Sequence, residues 1–197
     1  MPDRTFHDYL CRNLSFRQRV WALLFVVVSF QLLLIGGYFH HILSDTLNHQ
    51  VSARAVIQAR EIASDPQLIE AVSLRDTARV QKKIKRLQGI SDANFIDVGD
   101  RKGIRLAHPD IKKVGYPMQG GDNIRALQQG LHYYSIREGS LGFAIRGKSP
   151  IISSTGEIIG VVSVGYLLDT VSNLLLLYST PFFFALLIIL VCSSLGA

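Results

Sequence analysis

Two stretches of this 197-residue chain lack any charged residue, and that absence shapes the rest of the reading. Charged residues make up 18% of the chain, against roughly 25% in an ordinary soluble domain. The deficit is local: the 25 residues between Arg19 and Asp45 carry no charge, and neither do the 28 residues after Asp169. Residues 40–169 hold 17 Lys/Arg and 13 Asp/Glu, a normal soluble composition. The pattern excludes a purely soluble protein, a multi-span transporter and a disordered chain, and leaves one domain between two membrane segments. Cysteine is nearly absent as well, with only Cys11 and Cys192. The central domain has none, so disulfides do not staple it, and its length suffices for a core without them.

Val20–Phe39 (VWALLFVVVSFQLLLIGGYF) is long enough, as a helix, to cross a hydrocarbon core of ~30 Å. A cleaved signal peptide would show an apolar core of roughly 7–15 residues and then a small-residue cleavage site. The run here is longer and GGYFHHILSD has no such site, so a retained anchor is expected over 20–43. A second span is expected over 170–197, with its apolar run from Leu174 to Leu195; Pro181 in it reads equally as a flexing point or a passive kink. Arg4, Arg12, Arg17 and Arg19 outweigh Asp3 and Asp8 before the first span. The positive-inside bias therefore places residues 1–19 and both cysteines on the cytoplasmic side and residues 44–169 outside. The chain stops at Ser-Ser-Leu-Gly-Ala with no basic flank, which reads as a fragment whose missing part held the output.

Within the outer domain, helical periodicity continues from the first span to about Ser64, with Ala53, Ala55, Ala59 and Ala63 giving a slim face. Pro66 suits the first turn of the next helix with Asp65 as its cap, and a further helix is expected from Asp76 to Gln88. Its Lys82, Lys83, Lys85 and Arg86 read as a solvated face, near anionic lipid at most, rather than a nucleic-acid patch. After Gly89 the period becomes two. Strands are expected at 94–98, 104–108, 131–137, 143–151 and 157–166, with a loop over 109–121 and a short helix over 122–130. The fold class is α+β: a five-stranded antiparallel sheet with helices on one side. The last strand ends about eight residues before the second span.

Alternation puts Ala144, Arg146 and Lys148 on one face of a central strand, opposite Phe143, Ile145 and Gly147. Two cations on a core-facing surface are costly without an anion. Arg105 and His108 lie near another strand end, on opposite faces unless that strand twists or bulges before Pro109. Ser163 faces with Val161 and Gly165. Ser140 sits in a Gly-Ser-Leu-Gly turn able to form an anion-binding concavity. Arginine forks match carboxylates, and Lys or His adds point charge. Such a cluster suits a small multi-carboxylate ligand. Equally, Arg146 and Lys148 could lie on a solvent face, paired with Asp97 or Glu157.

The runs FIDVGDRKGIRLAHPDIKKVGYPMQGGD, REGSLGFAIRGKSPI and GEIIGVVSVGY resemble the outer domain of the citrate and dicarboxylate sensor histidine kinases, the CitA/DcuS family. FRQRVWALL also resembles the family's citrate members, and the likeness covers essentially the whole chain. It implies a PAS-like (PDC/Cache-type) periplasmic sensor domain between two transmembrane helices in a bacterial inner membrane. A cytoplasmic PAS domain and a histidine kinase using ATP and Mg would follow, with a response regulator as partner. No cofactor is expected in this chain. The resemblance places Arg105, His108, Ser140, Leu141, Arg146, Lys148 and Ser163 where the family's ligand contacts stand. Asp97 departs from the threonine of citrate-binding members; a carboxylate there would accept from a ligand hydroxyl or bridge to Arg105, and would repel a fully ionised tricarboxylate. The implied mechanism has the cations repel one another until an anion draws them together, shifting the last strand and the second helix. Homodimerisation is also implied, with the alanine face and Gly36-Gly37 allowing close helix approach.

Chemoreceptors and cyclase-type receptors use the same outer architecture. An exported enzyme would need a nucleophile–base pair or a metal cluster. The sequence offers neither: His40-His41 sit at the membrane edge, His49 and His132 are isolated, and Ser140 has no evident base.

Overall fold

The structure is a computed structural model that describes residues 15–195. Cys11, Arg4, Arg12, Asp3 and Asp8 lie outside the described residues, as does the Cys192 side chain. The chain divides into two compact units, residues 46–173 and the segments on either side of them.

Helix α1 runs unbroken over Phe16–Ala63. Among the described residues it is the one helix long and apolar enough to cross a membrane. The last helix, α5 (Leu168–Leu195), includes Pro181, and its Phe182 ring stacks on Phe39 of α1 at 4.2 Å between centroids.

In the central unit, α2 (Pro66–Ser73) begins at Pro66, with the Asp65 carboxylate accepting from the Gln67 and Leu68 N–H groups. Helix α3 (Thr77–Ile90) is capped in the same way by Asp76 through the Arg79 N–H. These caps satisfy donors that a helix start leaves free. The strands are β1 (Phe95–Asp100), β2 (Arg105–Ala107), β3 (Tyr133–Gly139), β4 (Gly142–Ile152) and β5 (Ile158–Leu167). All pair antiparallel in the order β2-β1-β5-β4-β3. A one-turn 3₁₀ helix (Ile111–Lys113) and the short α4 (Ile124–Gln129) interrupt the long loop.

One sheet face carries Ile96, Val98, Ile145, Val162 and Val164 and packs on Ala55, Ala59, Leu68, Val72, Val80 and Ile84 of α1–α3. The approach of α1 is close enough to need glycine: a Cβ on Gly147 would lie 2.1 Å from the Ala55 carbonyl carbon and oxygen. This corrects the expectation of an alanine face left for a second copy. Ala55, Ala59 and Ala63 are buried in the core, and of the four only Ala53 is exposed.

The strands differ from the sequence expectation chiefly at their ends. β3 and β4 extend into the glycine-rich turn, so only Ser140-Leu141 joins them. No linker separates β5 from the last helix, which starts at Leu168. Asn94 pins this junction, accepting from the Leu167 N–H at 2.8 Å and donating to Thr170 Oγ1 at 3.3 Å. Beside it, the Tyr166 hydroxyl meets Gln58 Oε1 and Asp92 Oδ1, each at 2.9 Å, and Arg54 pairs with Asp92 at 3.0 Å.

Candidate functional site

The sheet face away from the core collects the polar residues. Antiparallel pairing sets Asp97 of β1 opposite Ser163 of β5, and Ser163 opposite Lys148 of β4. Directly opposed residues point to the same face, so these three form a row across the sheet. The next row holds Phe95, Gly165, Arg146 and Ser135. Arg146 and Lys148 are 3% and 1% exposed. The alternative of a solvent-facing pair is thereby excluded.

Arg105 and His108 reach the same place through a bulge. Val98 pairs with Ala107, but Gly99 pairs with Arg105, so Leu106 is an extra residue in β2. One inserted residue reverses the alternation beyond it. Leu106 and Ala107 join the core while Arg105 and His108 share the polar face. Both meet Ser140 in the β3–β4 turn: His108 Nε2 lies 3.1 Å from Ser140 Oγ, and Arg105 Nη2 donates to it at 3.5 Å. Lys113 Nζ donates to the Ser140 carbonyl at 2.8 Å. Leu141, next along the turn, is 39% exposed.

The His108–Ser140 contact joins an imidazole and a hydroxyl that the sequence did not pair. His108 Nδ1 faces both the Asp110 N–H, at 2.9 Å, and the Asp110 carbonyl, at 3.1 Å; it accepts from the first when the ring proton is on Nε2 and donates to the second when the proton is on Nδ1. Burial, joined by the Arg105 and Lys113 charges and opposed by Asp97 and the Asp110 backbone, holds the ring's pKa below its ordinary value. A neutral ring with Nε2–H donates to Ser140 Oγ. In that tautomer Ser140 Oγ receives donors from both His108 and Arg105 and its own proton is free for an anion.

The cations are not left to repel one another, which corrects that part of the mechanism expected from sequence. Arg105 Nε pairs with Asp97 Oδ2 at 3.2 Å. Arg146 Nη2 and Lys148 Nζ pair with Asp122 at 3.1 and 3.6 Å. Asp122 was not among the residues singled out in the sequence, where it reads as the start of a helix; it precedes α4 and holds the loop onto the sheet. The same loop contributes the Pro117 carbonyl to Arg105, the Gln119 carbonyl to Arg146 and Asn123 Oδ1 to Lys148, at 2.6, 3.2 and 2.7 Å. Gly120 has φ +111°, and a Cβ there would fall within 2.8 Å of the Arg146 guanidinium nitrogens, so only glycine roofs the site this closely. Ser135 donates a short hydrogen bond to Asp122.

Charge and burial pull the two carboxyl groups in opposite directions. Burial raises the Asp97 pKa and outweighs the charges of Arg105, Lys148 and His108. Burial also opposes ionisation of Asp122, but Lys148, the Ser135 hydrogen bond and Arg146 hold its carboxyl below the ordinary range. Lys148 itself is pushed down by burial to about 8, against the pull of Asp122. A separate open cleft of about 820 Å³, lined by Lys102, Met118, Leu127 and Glu157 among others, includes none of the clustered cations.

A helix-backed antiparallel sheet whose second face holds buried cations under a loop defines a PAS-like sensor domain. The chain belongs to the single cache domain 3 family, which matches residues 43–176, and it is similar to the outer parts of several sensor histidine kinases. It is 40% identical over 98% of its length to the sensor histidine kinase CitA of Klebsiella pneumoniae, covering 36% of that protein. It is 38% identical over 82% of its length to the sensor histidine kinase DpiB of Escherichia coli K12, covering 29% of it. The chain thus spans about a third of these relatives. The crystal structure of the E. coli DcuS sensor domain superposes with a TM-score of 0.61 at 27% identity, covering 65% of this chain and 96% of that one. The Vibrio cholerae DctB sensor domain shares the fold, with a TM-score of 0.52 at 19% identity over 73% of this chain and 60% of that one.

Proposed function

We propose that this chain is the sensor portion of a two-component histidine kinase in a bacterial inner membrane, with residues 44–169 outside and a span on each side. Its outer domain binds citrate or a related di- or tricarboxylate. The observation that carries this reading is the convergence of Arg105, His108, Arg146 and Lys148 with Ser140 on one buried face. Arg105, Arg146 and, below a pH of about 8, Lys148 meet two carboxyl groups there, which leaves net positive charge for an anion. Ligand carboxylates take up donors on Arg105, Ser140, Arg146 and Lys148 and compete with Asp122 for the last two. The loop and β4–β5 then settle in a new arrangement. The kinase part, using ATP and Mg, and its response regulator follow from the family, as does a homodimer.

Displacement of β5 passes into α5, because strand and helix are contiguous at Leu168. The coupling is limited by how differently the ligand binds the two arrangements. Calorimetry on the chain in detergent, titrated with citrate, malate and succinate, tests the site. Binding that weakens with added salt and in Ser140→Ala and Arg146→Ala variants is expected. No heat with any of the three, or unchanged binding in both variants, refutes the assignment.

A further inference from the structure

The bulge turns His108 toward the polar face, but no strand holds it there. β2 lies at the sheet edge and ends at Ala107, and the next residue, Pro109, has no N–H to offer. His108 is 1% exposed, so its main-chain N–H and carbonyl need partners inside the protein. Both come from a single side chain of α3. Gln81 Nε2 donates to the His108 carbonyl at 2.9 Å, and the His108 N–H donates to Gln81 Oε1 at 3.0 Å. A main-chain N–H only donates and a carbonyl only accepts, so the carboxamide has one orientation and both its ends are used. The pair imitates one rung of an antiparallel ladder, supplied by a helix. The ring's own contacts, Asp110 and Ser140, lie in a loop and a turn, outside helix and strand.

Seven residues further along α3 a second glutamine makes the same kind of clamp. Gln88 Nε2 donates to the Asn94 carbonyl at 2.7 Å, and Gln88 Oε1 accepts from the Ile96 N–H at 3.1 Å. Two helical turns bring both glutamines to one side of α3, beside Val80 and Ile84 in the core. The clamps are alike in chemistry and differ in what else holds their target. Gln88 holds the start of β1, a strand that β5 pairs from Phe95 to Asp100. Gln81 holds a residue with no strand partner, whose ring lies 3.1 Å from Ser140 Oγ.

We infer that Gln81 is a positioning residue of the anion site: by holding the His108 main chain, it sets where the imidazole meets Ser140 and an incoming carboxylate. It touches no ligand itself. The inference rests on the reading of His108 as part of the carboxylate site, and it brings α3, packed on the opposite face of the sheet, into recognition.

Gln81→Met and Gln88→Met each remove two hydrogen bonds with little change of volume. Titration calorimetry with citrate on the full chain in lipid nanodiscs should show about tenfold weaker binding for Gln81→Met, the order of loss when a partner that orients a ligating histidine is removed. Gln88→Met should bind within about twofold of the parent, although its melting temperature falls by a similar amount. In a His108→Ala background, Gln81→Met should have no further effect on affinity, because a positioning residue acts only through the group it positions. Unchanged affinity in Gln81→Met, equal losses in the two glutamine variants, or full additivity with His108→Ala refutes the inference. Amide exchange tests the clamp in the parent chain itself: the His108 N–H should exchange about 100-fold or more slowly than in an unfolded peptide, and unprotected exchange refutes the clamp. If the parent binds none of citrate, malate and succinate, the carboxylate reading itself fails and this inference with it.

Discussion

Gly147→Ala should cost the central unit about 3 kcal/mol, the upper part of the usual range for overpacking. Gly147 lies between Arg146 and Lys148 but points the other way, into α1. The added Cβ would sit 2.1 Å from the carbonyl carbon and oxygen of Ala55 and 2.4 Å from the Val56 nitrogen. All three are backbone atoms, so no rotamer change relieves the contact. Ordinary van der Waals contact begins near 3.4 Å, so helix and sheet must part by more than 1 Å. That separation opens the layer in which Ala55, Ala59 and Ile145 are fully buried. For a unit of this size, each kcal/mol shifts the melting temperature by roughly 3–6 °C, so a fall of about 10–15 °C is expected. Differential scanning fluorimetry on the chain in detergent reads it directly. Gly89→Ala is the matched control: nothing lies within 4 Å of its Cβ, and alanine favours the helix it sits in. It should leave the melting temperature unchanged or slightly higher. A Gly147→Ala protein melting within 2 °C of the parent would refute the close approach of α1 to β4.

Lys148 gives the site a pH signature. Its folded pKa, about 8, lies below the ordinary 10.5, so the unfolded chain holds more protons between those values. This lysine's contribution to stability therefore rises from pH 8 to 10.5 in the absence of ligand. An anionic ligand favours the charged form, so its affinity should fall by up to tenfold per pH unit above about 8; equal affinities at pH 7 and 9 contradict this. Tyr166→Phe removes the hydroxyl shared by Gln58 and Asp92 and should cost about 1–2 kcal/mol, read as a lowered melting temperature. An unchanged melting temperature would mean that this link between β5 and α1 adds nothing to stability.

The legible parts of the structure were those governed by local rules. Strand alternation placed Arg146 and Lys148 together and Gly147 behind them, and short-range capping chemistry marked Asp65. The five-stranded sheet followed from the change of period after Gly89. The site's completion depended on tertiary events. Whether Arg105 and His108 meet depends on the β1–β2 hydrogen-bond register, which alternation by itself does not encode. Asp122 looked like a helix start because its neighbours have helical spacing, although its carboxylate is bound to cations some 24 residues further along the chain. A signal for it existed in charge balance: two buried cations on one strand require an acid from elsewhere, and the Gly-Gly-Asp run allows a backbone to approach that closely. The alanine face was real, but its spacing does not say whether sheet or second helix fills it; Gly147 decides for the sheet.

The bulge at Leu106 carries a consequence for how such a site is gained or lost. A scan that exchanges one side chain for another leaves the number of residues between Arg105 and His108 unchanged, so the feature that brings them together is invisible to it. Removing one residue between them would restore regular pairing and send the imidazole into the apolar layer, with every polar side chain of the cluster still present. The meeting of Arg105 and His108 is thus set by the length of chain between them as well as by the side chains themselves.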